Sequence, residues 1–381
     1  MNISIIQSLA EINSDDWNAL TVDLYPFSSF AYLYGLEQHQ CLHPFGWNPF
    51  YFLIQQDNKL IAATVCYVKS NSYGELVFDH TWADAYQRSG LDYYPKLVTA
   101  IPYTPATGAR FFIHPDINDK QFLEQALINH VIEFCQHNNL SSWHVLFCYE
   151  KTSTTLKTHS FSTRYDCQFH WNNNNYQTFD DFLSQLASRK RKNIKKERLC
   201  VNQNNLTIKQ RLASELSAHE LSQVHQLYAS IFLRKYGEAT LSKEFFISLG
   251  ENLGEQTLLI SAHDSTDKMI AVSMFFKSQH TLYGRVWGCN EDVDFLHFEL
   301  CYYQGIEYCI QHQLKTFDPG AQGEHKISRG FLPTKTTSAH WIANKDFREV
   351  IERFTVHEKS LMDEHCDDLK QKSPYKSNFE L

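Results

Sequence analysis

Apolar residues gather in two β-rich runs at 51–54 and 60–68, parted by the polar stretch 55–58, a pattern that predicts a hairpin. The same shape returns at 257–262 and 269–276 around a polar turn at 263–267, and the second runs end alike, at Lys69-Ser70 and Lys277-Ser278. Further along, Ile132-Glu133-Phe134-Cys135 matches Ile306-Glu307-Tyr308-Cys309, each with apolar positions at helical spacing. These helices begin near Phe122 and Phe295 and lead into strands at 143–147 and 315–317. Each half therefore reads strand, helix, hairpin, strand, helix, strand, and the fold class is α/β with mixed sheets.

The two copies lie 208 positions apart at Lys69 and Lys277 but 174 apart at Ile132 and Ile306, so the first half carries about 34 extra residues. They fall around 78–110 and include Asp79, His80, Trp82, Asp84, Tyr93, Tyr94 and Arg110. Two readings stand here. Either this segment walls or covers a substrate, which makes Asp79, His80, Trp82, Asp84 and Arg110 binding residues, or its rings serve packing alone.

Between the halves, Thr178 and Asp181 form a capping-box pattern ahead of Phe179, Phe182, Leu183 and Leu186, which share one helical face. The helix is expected to continue into 188–198, a dense basic run that holds Arg189, Lys190, Arg191, Lys192 and Lys195. The organisation expected is a first domain over 1–170, a second over 171–356 that opens with the basic helix, and a polar tail over 357–381.

Charge changes this picture in one place. The 381-residue chain carries a net charge of -8, so it is not a general nucleic-acid binder and DNA is not an expected partner. The basic run is then either a solvated face or a landing place for the phosphates of a nucleotide, coenzyme A or tRNA. Ten cysteines without a C-x-x-C pair read as buried free thiols, and nineteen histidines without ligand spacing give no reason to expect a metal. With neither a cationic leader nor an apolar run of spanning length, a cytoplasmic protein without membrane insertion is expected.

The densest chemistry follows the last predicted strand, in Asp318-Pro319-Gly320-Ala321-Gln322-Gly323-Glu324-His325-Lys326 and Arg329-Gly330-Phe331. Its glycines let backbone approach a ligand, and its side chains offer acids, bases and donors together. Asp318 and Glu324 are the first candidates for proton handling, with His325 in reserve. Gln322, Lys326, Arg329 and Arg285 are candidates to hold substrate or negative charge. Glu299, set among apolar residues, is either a base tuned by desolvation or a buried acid neutralised by Arg285.

With these residues in view, the chain resembles the bacterial FemAB-like group of GNAT-type proteins. The resemblance rests on 78–84, 94–97, 102–110, 188–192, 296–304, 319–326 and 329–331, and spans most of the sequence. It implies two tandem GNAT-like domains with a cleft between them for a small-molecule or peptide acceptor. It also implies acyl or aminoacyl transfer from an activated ester or thioester to an amine, linked to peptidoglycan or peptide modification. The similar Fem peptidyltransferases take amino acids from aminoacyl-tRNA, which suits a cationic helix. Acetyltransferases of the GNAT type instead hold coenzyme A on a glycine-rich turn opening a helix. The nearest stretch here, Arg285-Val286-Trp287-Gly288-Cys289-Asn290, lacks the final small residue and is followed by Glu291, Asp292 and Asp294. No tightly bound cofactor is expected; acyl-CoA or aminoacyl-tRNA would be a co-substrate. The alternative from another class is a ligand-binding protein for peptide, nucleotide or tRNA that does not turn over.

Overall fold

A computed structural model describes residues 1–21, 25–235, 237–321 and 323–376. The chain forms two compact units, one of Met1–Asp166 with Lys335–His365 and one of Cys167–Thr334 with Cys366–Leu381.

In unit 1, β1 (Asn2–Ile6) precedes two short helices, α1 (Ser14–Asn18) and α2 (Phe30–Gln38), and the hairpin β2 (Trp47–Gln56) and β3 (Lys59–Lys69). The hairpin turns on Asp57 and Asn58, both at positive φ, 51° and 62°, the two-residue turn whose twist matches that of its strands. Then come α3 (His80–Arg88), β4 (Lys96–Thr99), β5 (Phe111–Ile113), α4 (Lys120–His137), β6 (Ser142–Cys148), α5 (Glu150–Lys157) and the start of β7 (Ser162–Asn172). The strand order is β1-β2-β3-β4-β6. Within it β4 and β6 run parallel while the hairpin is antiparallel. The face of α4 that carries Leu123, Leu127, Val131 and Cys135 packs into the core with Phe52, Trp143 and Leu156.

Unit 2 repeats this order. After β7 come α6 (Phe179–Gln185), α7 (Ser188–Asn202), β8 (Thr207–Leu212), α8 (Ala218–Lys235) and α9 (Lys243–Asn252). The hairpin β9 (Thr257–His263) and β10 (Met269–Lys277) turns where the Asp264 carboxylate accepts from the Thr266 and Lys268 amides. Next are β11 (Thr281–Cys289), the helical run α10 (Leu296–Phe298), a widened turn at Glu299–Tyr303, α11 (Gln304–Gln311), and β12 (Thr316–Asp318). The order is β7-β12-β11-β10-β9-β8, again with one parallel pair, β11 with β12. The chain returns to unit 1 in β13 (Leu332–Ile342), which pairs with β6, and continues into α12 (Lys345–Gln371). A hairpin followed by a parallel pair, with helices between, is the GNAT-type arrangement, here present twice.

Two expectations are corrected. The helix from Phe179 does not run on into the basic segment: Leu186 and Ala187 are extended, because Leu186 is fully buried and the Ala187 amide donates to the Pro374 carbonyl. Nor is the polar stretch from 357 a frayed tail. It is helical to Gln371, since Cys366 and Leu369 are buried in an otherwise charged sequence and Lys359–Asp363 and Lys370–Asp367 pair along its surface.

Candidate functional site

The loop after β12 is organised around Asp318. Parallel pairing sets Asp318 beside Tyr283, so Arg285, farther along β11, reaches it. Arg285 Nη2 donates to Oδ2 at 2.8 Å, the Gly320 amide donates to Oδ1 at 2.8 Å, and His170 Nε2 stands 3.8 Å from Oδ1. Burial by itself would raise the Asp318 pKa, but Arg285, His170 and the amide prevail and hold it near about 2. Asp318 is therefore a fixed anion, not a proton shuttle, which corrects its first-choice role. Arg285 is likewise committed to Asp318 and not to Glu299.

Lys326 lies in the short helix Glu324–Arg329 and is buried. Its Nζ donates to the Gly320 carbonyl at 2.8 Å and the Ala321 carbonyl at 3.2 Å. Burial lowers its pKa to about 8 against the pull of Asp318. His325, next in the chain and exposed, has its Nε2 3.0 Å from the Tyr302 hydroxyl. Partial burial and the nearby charges of Arg329 and Lys326 lower its pKa, so the imidazole is neutral at neutral pH. Gly323, at φ 102°, lets this ring fold back, since a Cβ there would meet His325 Cε1 at 2.6 Å. Arg329 lies over the Phe298 ring, 3.5 Å from its centroid, donates to the His325 carbonyl at 2.8 Å and pairs with Glu197 at 2.9 Å. The widened helical turn brings Tyr302 to His325 and Tyr303 to Glu197.

Glu299, from the same turn, is buried, but its partner is Arg198, which grips Glu299 and Glu307 together at 2.9 Å each. Gln304 adds a further bond to Glu299 at 2.8 Å. A carboxylate so saturated serves the scaffold, and both earlier readings of Glu299 are replaced. Glu324 lies more than half exposed and pairs with Lys372 at 3.2 Å. It lacks the fixed, dry surroundings that a proton-transfer group needs. Gln322 lies outside the described residues.

The basic run forms the first turns of α7, with Ile194 and Val201 turned inward and Arg189, Lys192 and Lys195 exposed; Lys190 and Arg191 are half-buried. Lys195 pairs with Asp180 at 3.1 Å. The helix starts without a side-chain cap and without an acidic residue in its first turn. Its cations thus add to the positive end of the helix dipole beside backbone amides that lack helical acceptors, an arrangement suited to a bound anion.

In unit 1 the extra segment builds a buried polar ladder. Lys96 Nζ donates to Ser72 and to Glu75 Oε2, both at 2.8 Å, and pairs with Asp79. Tyr93 donates to Asp79 at 2.5 Å and stands 3.1 Å from His144 Nε2. His144 meets His340 of β13, on whose ring Trp82 packs edge-on at 4.9 Å. Burial pushes Glu75 up to about 7, whereas Asp79, which burial alone would also raise, is held below the usual carboxylate range by Lys96. Asp79 and Trp82 are buried within this ladder, and Arg110 donates to the carbonyls of Leu146, Ala109 and Ala106, so these three are structural and do not present themselves to a substrate. His80 and Asp84 are exposed on α3. Glu75, His144 and His340 are not singled out by the sequence, and Lys96 only as part of 94–97. Pairing of β4 with β6 and of β6 with β13 assembles them, and only the proximity of Lys96 to Asp79 hinted at it.

A hairpin leading to a parallel pair, present once in each unit, defines a tandem GNAT-like α/β protein. The chain belongs to the FemAB-like family, described as peptidoglycan biosynthesis/recognition, whose profile matches residues 8–377. Its fold is similar to that of FemX, with a TM-score of 0.54 at 12% identity over 92% of this chain and 100% of that one. It is also similar to the C-terminal domain of a protein assigned as a lysylphosphatidylglycerol synthetase from Agrobacterium fabrum (TM-score 0.55, 6% identity, 92% and 98% covered). L-PGS from Bacillus licheniformis gives a TM-score of 0.50 at 8% identity, with 84% and 94% covered. No curated protein matches the sequence. Among the described residues no helix is long and apolar enough to cross a membrane.

Proposed function

We propose that unit 2 carries out transfer of an acyl or aminoacyl group from an activated ester or thioester to an amine, with the loop after β12 as reacting centre. The observation that carries this reading is the adjacency of His325 and Lys326. One is an exposed imidazole braced by Tyr302, the other a buried lysine whose pKa burial lowers to about 8. The amine nitrogen attacks the carbonyl carbon to form the new C–N bond, and His325 accepts the amine proton. Lys326 supplies positive charge for the oxygen that becomes negative, held in place by the Gly320 and Ala321 carbonyls. Collapse then breaks the carbon–oxygen or carbon–sulfur bond, and the leaving group takes up the proton. Membership of a peptidoglycan biosynthesis/recognition family supports an acceptor of peptidoglycan-peptide type.

For the donor, the cationic start of α7 supports a polyphosphate carrier such as tRNA. The alternative coenzyme A turn loses support. Arg285 is engaged by Asp318, and Gly288 lies in β11 where a Cβ would meet the Leu227 backbone at 2.4 Å, so packing accounts for that glycine. The test is single-turnover transfer from aminoacyl-tRNA and from acetyl-coenzyme A to an amine-bearing peptidoglycan peptide. Product from aminoacyl-tRNA is expected, with His325→Asn and Lys326→Met lowering the rate at least tenfold while donor affinity is kept. Unchanged turnover in both variants overturns the assignment.

The second reading, a binding protein without turnover, draws on the sequestration of Asp318 and the exposure of Glu324. It predicts saturable binding of the same donor or acceptor with no product.

A further inference from the structure

Two cavities adjoin on the face of unit 1 where the start of β7 meets α12. The larger, about 540 Å³, is lined by Lys157, Ser162, Thr163, Tyr165, Arg348 and Lys359 among others. The smaller, about 310 Å³, includes Thr107, Tyr149, Lys335 and Thr337. They share Tyr165 and Lys359, and so form one groove. Its lining is hydroxylated: Ser162, Thr163, Thr337 and Thr355 are buried, the Thr163 hydroxyl 2.8 Å from that of Ser153 and the Thr355 hydroxyl donating to the Glu352 carbonyl at 3.0 Å, which leaves Ser162 and Thr337 to meet a ligand.

The charges are placed at both ends. Lys157 and Arg348 stand in the larger chamber, and among the described residues neither is paired with a carboxylate; Arg348 donates to the Ile342 carbonyl at 2.7 Å. Lys335 stands in the smaller chamber and Lys359 at the junction, where both lean on one carboxylate, Asp363. Against these four cations stand three carboxylates, Glu352 and Glu150 in the walls and Asp363 beside Lys335 and Lys359, which leaves a cationic excess in a chain of net charge -8. The ring of Tyr165, with Lys359 Nζ 5.6 Å from its centroid, gives a flat surface midway.

We infer that this groove binds a small molecule with an anionic oxygen group at each end and a hydroxylated body between them. Cations at the two ends fix the anionic groups, buried hydroxyls meet the body, and the volume matches a small ligand. Simple surface neutralisation would not require a concave floor of buried threonines and serines.

Isothermal titration of the whole chain with fructose 1,6-bisphosphate, citrate and inorganic phosphate is the test. Saturable binding of the bisphosphate or of citrate, at least tenfold tighter than inorganic phosphate, is expected, and the stronger of the two tells phosphate from carboxylate recognition. Lys157→Gln and Lys335→Gln should each weaken it at least fivefold, with circular dichroism unchanged, whereas Lys243→Gln on α9 should not. Absence of saturable binding, equal affinity for inorganic phosphate, or binding indifferent to Lys157→Gln and Lys335→Gln overturns the inference.

Discussion

His144 and His340 meet Nδ1 to Nδ1 at 2.8 Å in the interior of unit 1. One nitrogen must carry a proton and the other a lone pair, so the contact holds only while at least one ring is neutral. Burial lowers both pKa values, that of His144 to about 3, with Lys96 opposing its protonation further. The unfolded chain takes up these protons below about pH 6.5 while the folded chain does not, so stability is full above that pH and falls as pH drops toward about 3. Each imidazole contributes a slope of about 1.4 kcal/mol per pH unit. Urea midpoints measured from pH 7.5 to pH 4 should show the loss, and it should be shallower in the His144→Asn/His340→Asn variant.

Lys96 offers a sharper stability test. It is the counter-ion of two buried carboxylates through Glu75 Oε2 and Asp79 Oδ2, while Glu75 Oε1 and Asp79 Oδ1 are buried with no hydrogen-bond partner among the described residues. Lys96→Met should cost about 3–5 kcal/mol, because it strands buried charge. Lys96→Met with Glu75→Gln and Asp79→Asn should recover part of that loss. Equilibrium unfolding of both variants decides it, and a triple variant no more stable than the single one speaks against the ion-pair account.

The start of α7 predicts opposite effects on binding and stability. Arg189→Glu places an acid in the first turn of α7, where the helix dipole favours it, and should raise stability by about 0.5 kcal/mol, whereas Lys192→Glu lies past that turn and should leave stability unchanged. The same changes should weaken binding of a tRNA or heparin probe and flatten its salt dependence. Thermal melts and titrations at two salt concentrations measure both. Binding that survives the reversals assigns the helix a solvated role.

Lys326 should titrate near about 8 by NMR of the labelled side chain. Its ammonium is lost as pH rises through that value, so a transfer rate that depends on its charge declines above pH 8. Asp318→Asn removes the anion that favours the charged form and should move the lysine titration lower. A resonance titrating near the ordinary lysine value of about 10.4 contradicts the burial argument.

Gly288→Ala should destabilise the chain by about 1–3 kcal/mol, since the new methyl meets the α8 backbone at Leu227. If stability is unchanged, the packing explanation for this glycine fails.

Much of the fold was legible because its signals are local. The hairpins, the helix repeating Ile-Glu-aromatic-Cys, and the Thr178–Asp181 capping box all sit where period and turn chemistry place them. The break at Leu186 was not legible: no proline or glycine marks it, and its cause is a contact with residues 374–375, far along the chain. The helix through Gln371 was missed because only Cys366 and Leu369 interrupt its polarity on the buried side. At the candidate site, the loop was found by composition, but roles within it depend on partners set by strand register. Arg285 belongs to Asp318 and Glu299 to Arg198, and nothing in a single sequence distinguishes these pairings from the reverse.

Because β13 lies at residues 332–342 yet pairs with β6 of unit 1, that edge of β6 stays open while residues 167–331 of unit 2 are made. The first-made unit thus cannot close until the chain has passed residue 342. On the ribosome, unit 1 exposes unpaired strand and an unmatched His144 for as long as unit 2 takes to emerge, a window in which chaperone capture or aggregation competes with folding. A chain arrested at residue 330 should therefore be protease-sensitive in unit 1, and release past residue 342 should restore resistance there.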